Sequence, residues 1–204
     1  MNGLLDHLDC NRNKQFPQGH VLRQVDATTR EKLERFLGGS VSPEYLDFLA
    51  EYGGTTIYSI PLPCPKSSSK DRLRELPFDV WNLYIFGDYT PGKNGGLHTH
   101  GLDCILRHGR SVTPVDMLPL AEHIENRFLH YSHRPESYGR LFLYCPEDLP
   151  YYNAYDPECA GQEPPDPFLA CQEVAPNLET FFKNLRSFSA KEYDEWADRA
   201  NSYI

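Results

Sequence analysis

The stretch Val41-Ser42-Pro43-Glu44-Tyr45-Leu46-Asp47-Phe48-Leu49-Ala50-Glu51-Tyr52-Gly53-Gly54 constrains the fold more than any other part of the chain. Ser42 suits an N-cap, and Pro43 falls at the first helical position, where a missing N–H costs nothing. Tyr45, Phe48, Leu49 and Tyr52 recur at helical spacing and form one apolar stripe. Gly53 supplies a stop, at a position that commonly takes positive φ. A strand-like run, Thr55-Thr56-Ile57-Tyr58-Ser59-Ile60, follows at once. The pattern predicts a short amphipathic helix over 43–52, packed on a core that begins with the next strand.

The chain has 204 residues, of which 40% are hydrophobic and 13% aromatic, enough for one domain with a sizeable core and too apolar for disorder. Its formal charge of −9 argues against nucleic acid as a partner, because phosphate contacts need clustered Lys and Arg. The same charge suits a basic protein partner, although solubility alone accounts for many acidic chains. Met1 to Gln15 carries Asp6, His7 and Asp9 and does not resemble a signal peptide. No window offers the roughly 18 apolar residues of a membrane helix, so a cytoplasmic location and no membrane partner are expected. Cys10, Cys64, Cys104, Cys145, Cys159 and Cys171 are scattered singly, without a Cys-x-x-Cys pair, and free thiols are expected. Cys104, Cys145 and Cys171 each fall in a strand-like run.

Residues 1–25 read as a loosely docked N-terminal arm, and 26–204 as a single domain that includes the C-terminal helices. Thr28 and Glu31 fit a capping box for a helix from about Thr29 to Leu37. The Pro- and Ser-rich segment from Pro61 to Lys70 predicts an irregular loop. Strands are expected at 80–86, 102–107, 111–116, 141–144, 152–155 and 168–174, and a helix over 118–131, where Leu120, Ile124 and Phe128 stand four apart. Asn177 caps a further helix, and Ser189 with Glu192 forms a capping box for a terminal one. Tight turns between strands favour antiparallel pairing. The expected class is α+β, a single mostly antiparallel twisted sheet with helices packed mainly on one side.

For chemistry, the sharpest candidate is Gly92-Lys93-Asn94-Gly95-Gly96-Leu97-His98-Thr99-His100-Gly101-Leu102-Asp103. A His-x-His pair on a strand would put both imidazoles on one face, a start for a metal site. The spacing from Gly92 to His98 and His100 resembles the first cupin motif. The acidic ligand is displaced, however, since Asp103 comes three residues after His100, and no second motif supplies a third histidine. A polar hairpin displaying two surface histidines is the simpler reading. His123, His130 and His133 are expected near the end of the 118–131 helix, where imidazoles complement the dipole. Glu147, Asp148, Asp156 and Glu158 bracket Tyr151 and Tyr152. Carboxylates with tyrosines could be an acid/base pair, a solvated sheet edge, or a binding surface, where Tyr gives large contact area at low entropic cost.

Taken in order, these segments resemble the SUKH superfamily, which includes a yeast cell-wall assembly regulator and bacterial relatives. The resemblance rests on Ser42 to Gly54, on Tyr138-Gly139-Arg140-Leu141-Phe142-Leu143-Tyr144 followed by Tyr152-Asn153-Ala154-Tyr155-Asp156-Pro157, and on Phe168 to Leu185 with its Asn177-Leu178-Glu179-Thr180-Phe181-Phe182 helix. It spans roughly residues 33–188. The chain departs from the family in lacking a glycine-rich turn between the paired strands, where Pro146 to Pro150 stands. The resemblance implies a binding domain that is not an enzyme and needs no cofactor. It implies an immunity protein that neutralises a cognate secreted toxin, such as a nuclease, by occluding its active surface. On that reading Glu147, Asp148, Tyr151, Tyr152, Asp156 and Glu158 form the contact set. Two alternatives stand beside it: a cupin-like metal binder or metalloenzyme centred on His98 and His100, and a regulatory scaffold.

Overall fold

In the computed structural model, the described residues are 3–12, 19–61, 81–108, 111–123, 127–149, 163–189, 191–192 and 194. They form an α+β fold built on one antiparallel sheet. Strands β1 (Cys10–Arg12), β2 (Thr55–Pro61), β3 (Trp81–Ile85), β4 (Met117–His123), β5 (Arg127–Ser132), β6 (Leu141–Tyr144) and β7 (Cys171–Ala175) lie side by side in chain order. A short β8 (Leu185–Arg186) pairs with the far end of β2, at Ile60 and Pro61, beyond the part of β2 that β1 occupies. Helices α1 (Ala27–Leu37), α2 (Pro43–Tyr52), α3 (Leu102–His108) and α4 (Leu178–Lys183) complete the fold.

The register sorts the side chains between two faces. Tyr84, Glu122, Phe128 and Tyr144 pair across four strands and so share one face; Ile85, Ala121, Leu129 and Leu143 form the next row, on the other. α2 packs on the second face, with its Tyr45 ring 5.6 Å from that of Tyr131 and its hydroxyl donating to the Pro119 carbonyl. The predicted stripe is therefore core: Tyr45, Phe48, Leu49 and Tyr52 are all buried, and Phe48 stacks on Phe182 of α4. On the first face, His100 stacks on Tyr84, and Thr113 meets the fully buried His130.

α2 stops where expected, by a different device. Gly53 has φ −51°, and it is Gly54 that takes the left-handed conformation, at φ +77°. A Cβ on Gly53 would come within 2.5 Å of the Leu49 carbonyl oxygen, and one on Gly54 within 2.5 Å of the Tyr89 hydroxyl. Both glycines are needed, the first for close approach and the second also for backbone angle. At the other end Ser42 makes no side-chain cap bond. α1 starts earlier than predicted, because Asp26 is the N-cap: its carboxylate accepts from Thr29 N–H at 3.0 Å, and Thr29 Oγ1 closes the box in place of Thr28 and Glu31. A carboxylate at a helix N-terminus also complements the dipole.

The expected helix over 118–131 is instead the β4–β5 hairpin. Met117, Leu118, Leu120, Ala121, Leu129 and Tyr131 are all buried, so these strands are covered on both faces and their alternation disappears. The register shifts between Pro119 and Ala121, a bulge that lets proline sit in a strand. Conversely, the expected strand at 102–107 is α3, opened by the Gly101 carbonyl accepting from Cys104 and Ile105; Leu102 and Ile105 point inward. The expected strand at 111–116 is turn, and the last strand begins at Cys171 after a 3₁₀ turn, Pro167–Ala170. Asn177 Oδ1 caps α4 from Thr180 N–H at 2.7 Å, and Ser189 with Glu192 makes the predicted reciprocal bonds. Cys104 lies in α3 and Cys145 just past β6; among the described residues Cys10, Cys104, Cys145 and Cys171 are free thiols. The segments 62–70 and 152–155 lie outside the described residues.

Within the segment expected to be a loosely docked arm, residues 3–12 are mostly exposed but are tied to the domain at several points. Leu5 and Leu8 are buried, Leu4 N–H donates to the Tyr52 hydroxyl at 2.8 Å, and His7 Nε2 meets the carbonyls of Phe182 and Leu185. Residues 20–26 are anchored by charge. Asp88, 3% exposed just past β3, is held by Arg23, by Lys32 of α1 and by the Thr29 hydroxyl; Asp103 of α3 bridges the same two cations. Asp88→Asn leaves two cations facing a neutral amide. It is expected to lower unfolding stability by about 2–4 kcal/mol in urea titrations, and a loss below about 0.5 kcal/mol would show that Asp88 does not hold the cluster.

Candidate functional site

Two surfaces carry the chemistry that the sequence singles out. The first gathers histidines. His98 and His100 lie in a turn before α3, not on a strand, and they are joined by His20 from a segment distant in sequence. Thr90 draws the two segments together: its N–H donates to the Val21 carbonyl, its Oγ1 accepts from Val21 N–H, and its carbonyl bonds His20 Nδ1 at 3.0 Å. The His20 and His100 rings lie 5.1 and 5.8 Å from that of His98. His98 stacks on Tyr89, and His100 stacks on Tyr84 with the ring planes 9° apart.

Hydrogen bonding fixes the protonation of His98. Its Nδ1 accepts from the His100 backbone N–H at 3.2 Å, which places the ring proton on Nε2. Burial, together with the charges His100 and His20 would carry, pushes its pKa down from 6.5 to about 4. Burial also lowers His100 and raises Glu122, whose Oε2 lies 3.5 Å from His100 Nε2. The pair is thus biased toward a neutral imidazole beside a carboxyl held nearer its acid form.

The arrangement departs from the cupin reading in two respects. Asp103, three residues after His100, is engaged by Arg23 and Lys32. Among the described residues, no group of three or more His, Cys, Asp or Glu is placed to hold a metal ion. The other histidines are separated rather than clustered, and no helix places them. His123, in β4, bonds the Asn82 carbonyl; His130, in β5, meets Thr113 Oγ1; His133 accepts from Ser42 N–H.

The second surface lies along β7, the last strand in the sheet order among the described residues. Asp148 is exposed at the end of the 3₁₀ turn Pro146–Asp148 and accepts from Gln172 Nε2 of β7 at 3.0 Å. Glu147 shares that turn, whereas Tyr151, Tyr152, Asp156 and Glu158 lie outside the described residues. Sequence reasoning missed Glu163, Asp166 and Glu173, all exposed, and Leu169, which is 66% exposed. The acidic Pro-rich loop before Phe168 was the available signal. An exposed Leu in an apolar run has no signal, because a 3₁₀ turn rather than a strand decides which way it points. Beneath it Phe168 packs on Phe142 and carries the Arg134 guanidinium 3.9 Å above its ring. Glu173 pairs with Arg140 at 2.9 Å.

Compared with known proteins, the chain matches no family model, no curated protein and no solved structure. Among the described residues no helix is long and apolar enough to cross a membrane.

Because the folded chain resists protonating His98, stability is fully present above pH 6.5 and is lost as pH falls toward about 4, where the unfolded chain is protonated and the folded one is not. An NMR titration of the His98 Cε1–H resonance is expected to give a midpoint near 4, and a midpoint at or above 6.5 would remove the imidazole cluster as a neutral, packed unit.

Proposed function

We propose that this chain is a non-enzymatic protein-binding domain, and that it serves as an immunity protein occluding the active surface of a cognate secreted toxin. The observation that supports this is the surface along β7. Leu169, two-thirds exposed, lies between exposed Asp166 and Glu173 in the chain, with Glu163 exposed shortly before them and exposed Asp148 bonded to Gln172 of the same strand. An apolar anchor inside a charged rim is the composition of a recognition patch: the anchor supplies affinity and the rim supplies steering and partner choice. Acidic groups there favour a basic partner, as a nuclease surface would be, and the overall charge of −9 adds long-range attraction. The SUKH resemblance points the same way, and Asp148 belongs to the contact set it implied. Chemistry at the imidazole cluster is not needed for this role.

The test uses the toxin-like C-terminal domain of a secreted protein encoded beside this gene, purified and titrated by calorimetry. A one-to-one complex that silences the toxin and weakens with added salt is expected. Reversing Asp148, Glu163, Asp166 and Glu173 to Lys is expected to weaken binding at least about 100-fold, mostly through slower association and lost rim pairs. Unchanged affinity in that variant would move the site elsewhere, and no complex with the unaltered chain would remove the immunity role.

A further inference from the structure

α2 begins without a cap of its own. Ser42 occupies the N-cap position, but its hydroxyl lies 3.2 Å from the Tyr131 hydroxyl, which itself donates to Glu44 Oε2 at 2.7 Å. The backbone N–H of Ser42 goes instead to Nε2 of His133, 3.0 Å away and 91 residues later in sequence. An accepting Nε2 carries a lone pair, so the ring proton resides on Nδ1, which is buried and makes no close hydrogen bond, although the Tyr131 carbonyl lies near enough to favour its charge. One imidazole therefore ties the start of a core helix to the end of β5.

We propose that His133 is a proton-operated latch on the N-terminal turn of α2. Neutral, it accepts the Ser42 amide and seats the turn on the sheet. Protonated, it gains an N–H where it needs a lone pair, and it sets a positive charge against the positive end of the helix dipole. Both changes oppose the contact, and the turn lifts.

The groups facing the ring decide where the latch works. From α2 come Glu44 and Tyr45; from β5, Tyr131; from the turn before β4, Asp116; and from the β5–β6 connection, Arg134 and Tyr138. Glu44 is engaged by the Tyr131 hydroxyl, and Arg134 is turned onto Phe168, with its Nε donating to the Val115 carbonyl. Asp116 and the Tyr131 carbonyl favour the imidazolium, but burial outweighs them and holds the pKa below its ordinary 6.5. The latch is thus closed at neutral pH and is driven open as pH falls below 6.5, once the released ring takes the proton that the seated ring refuses. Tyr138, 56% exposed, stands edge-on to both His133 and Tyr131, and His133 is itself partly exposed, so the latch lies at the surface.

Hydrogen exchange of the Ser42 amide, followed by NMR on the intact chain and corrected for intrinsic rates, tests this directly. Between about pH 7.5 and about pH 5.5, Ser42 protection is expected to fall by up to about tenfold, the change in protonated fraction of a released imidazole, and to stay well below that of Leu143 in the middle of the sheet, whose exchange reports global unfolding. In His133→Gln, whose side-chain oxygen can accept the same bond without titrating, Ser42 protection is expected to stay level. Level protection at Ser42 in the unaltered chain overturns the latch. So does equal protection at Ser42 and Leu143 at both pH values, which would mean that Ser42 exchanges only by general unfolding, or an undiminished pH response in His133→Gln. Should that variant not fold, the contrast between Ser42 and Leu143 in the unaltered chain decides alone.

Discussion

A carboxylate placed out of water imposes the strictest demand in this molecule. Asp88, just past β3, is 3% exposed, and a charge so buried is tolerated only where cations and donors converge on it. Here they come from separate parts of the chain: Arg23 from the segment before α1, Lys32 and Thr29 from α1 itself. Asp103 brings α3 to the same cations. Because Arg23 and Lys32 remain partly exposed, the cluster is better understood as fixing position than as a large net source of stability. It sets where α1 and α3 stand, and with them the turn that carries His98 and His100.

How far the sequence could be read depended on whether one side of each segment met water. α2 has a polar side at Glu44, Asp47 and Glu51, so its stripe stood out, and its boundaries are those the capping residues predicted. Asn177 and Ser189 announced their caps for the same local reason. β4 and β5 have no such side. Met117 to Ala121 and Phe128 to Ser132 are buried throughout, and a segment apolar on all sides carries no period, so Leu120 and Phe128 mimicked a helix. The site was legible in still smaller part. Asp148 was singled out because acidic residues near tyrosines form a local pattern, and it is exposed. His20 beside His98 was not, because only the tertiary pairing of Val21 with Thr90 brings them together. Leu169 was hidden because the direction of one side chain depends on a 3₁₀ turn.

Its histidines share one physical theme. His98, His100, His130 and His133 are all pushed toward the neutral form, in each case chiefly by burial. Aromatic rings do most of the enclosing: Tyr89 and Tyr84 under His98 and His100, Phe128 and Tyr144 around His130, and Tyr45, Tyr131 and Tyr138 around His133. The imidazoles act as flat, weakly polar packing pieces that also satisfy a backbone or hydroxyl partner. The acidic edge is the converse, with carboxylates left in water on and beside β7, the strand farthest from β1 in the sheet order of the described residues. Buried imidazoles and solvated carboxylates thus occupy different parts of one sheet.

The outer side of β2 is completed by both extremities of the described chain. β1 covers Thr55 to Ile57, β8 covers Ile60 and Pro61, and His7 reaches the carbonyls of Phe182 and Leu185. That side of β2 therefore depends on segments far apart in the chain. During synthesis β2 emerges early yet must wait for Leu185 and Arg186 before that edge can close, so the closing step is long-range and slow relative to the hairpins in between. A chain cut short before β8 would leave Ile60 and Pro61 unpaired on that side, an open strand edge offered to its neighbours.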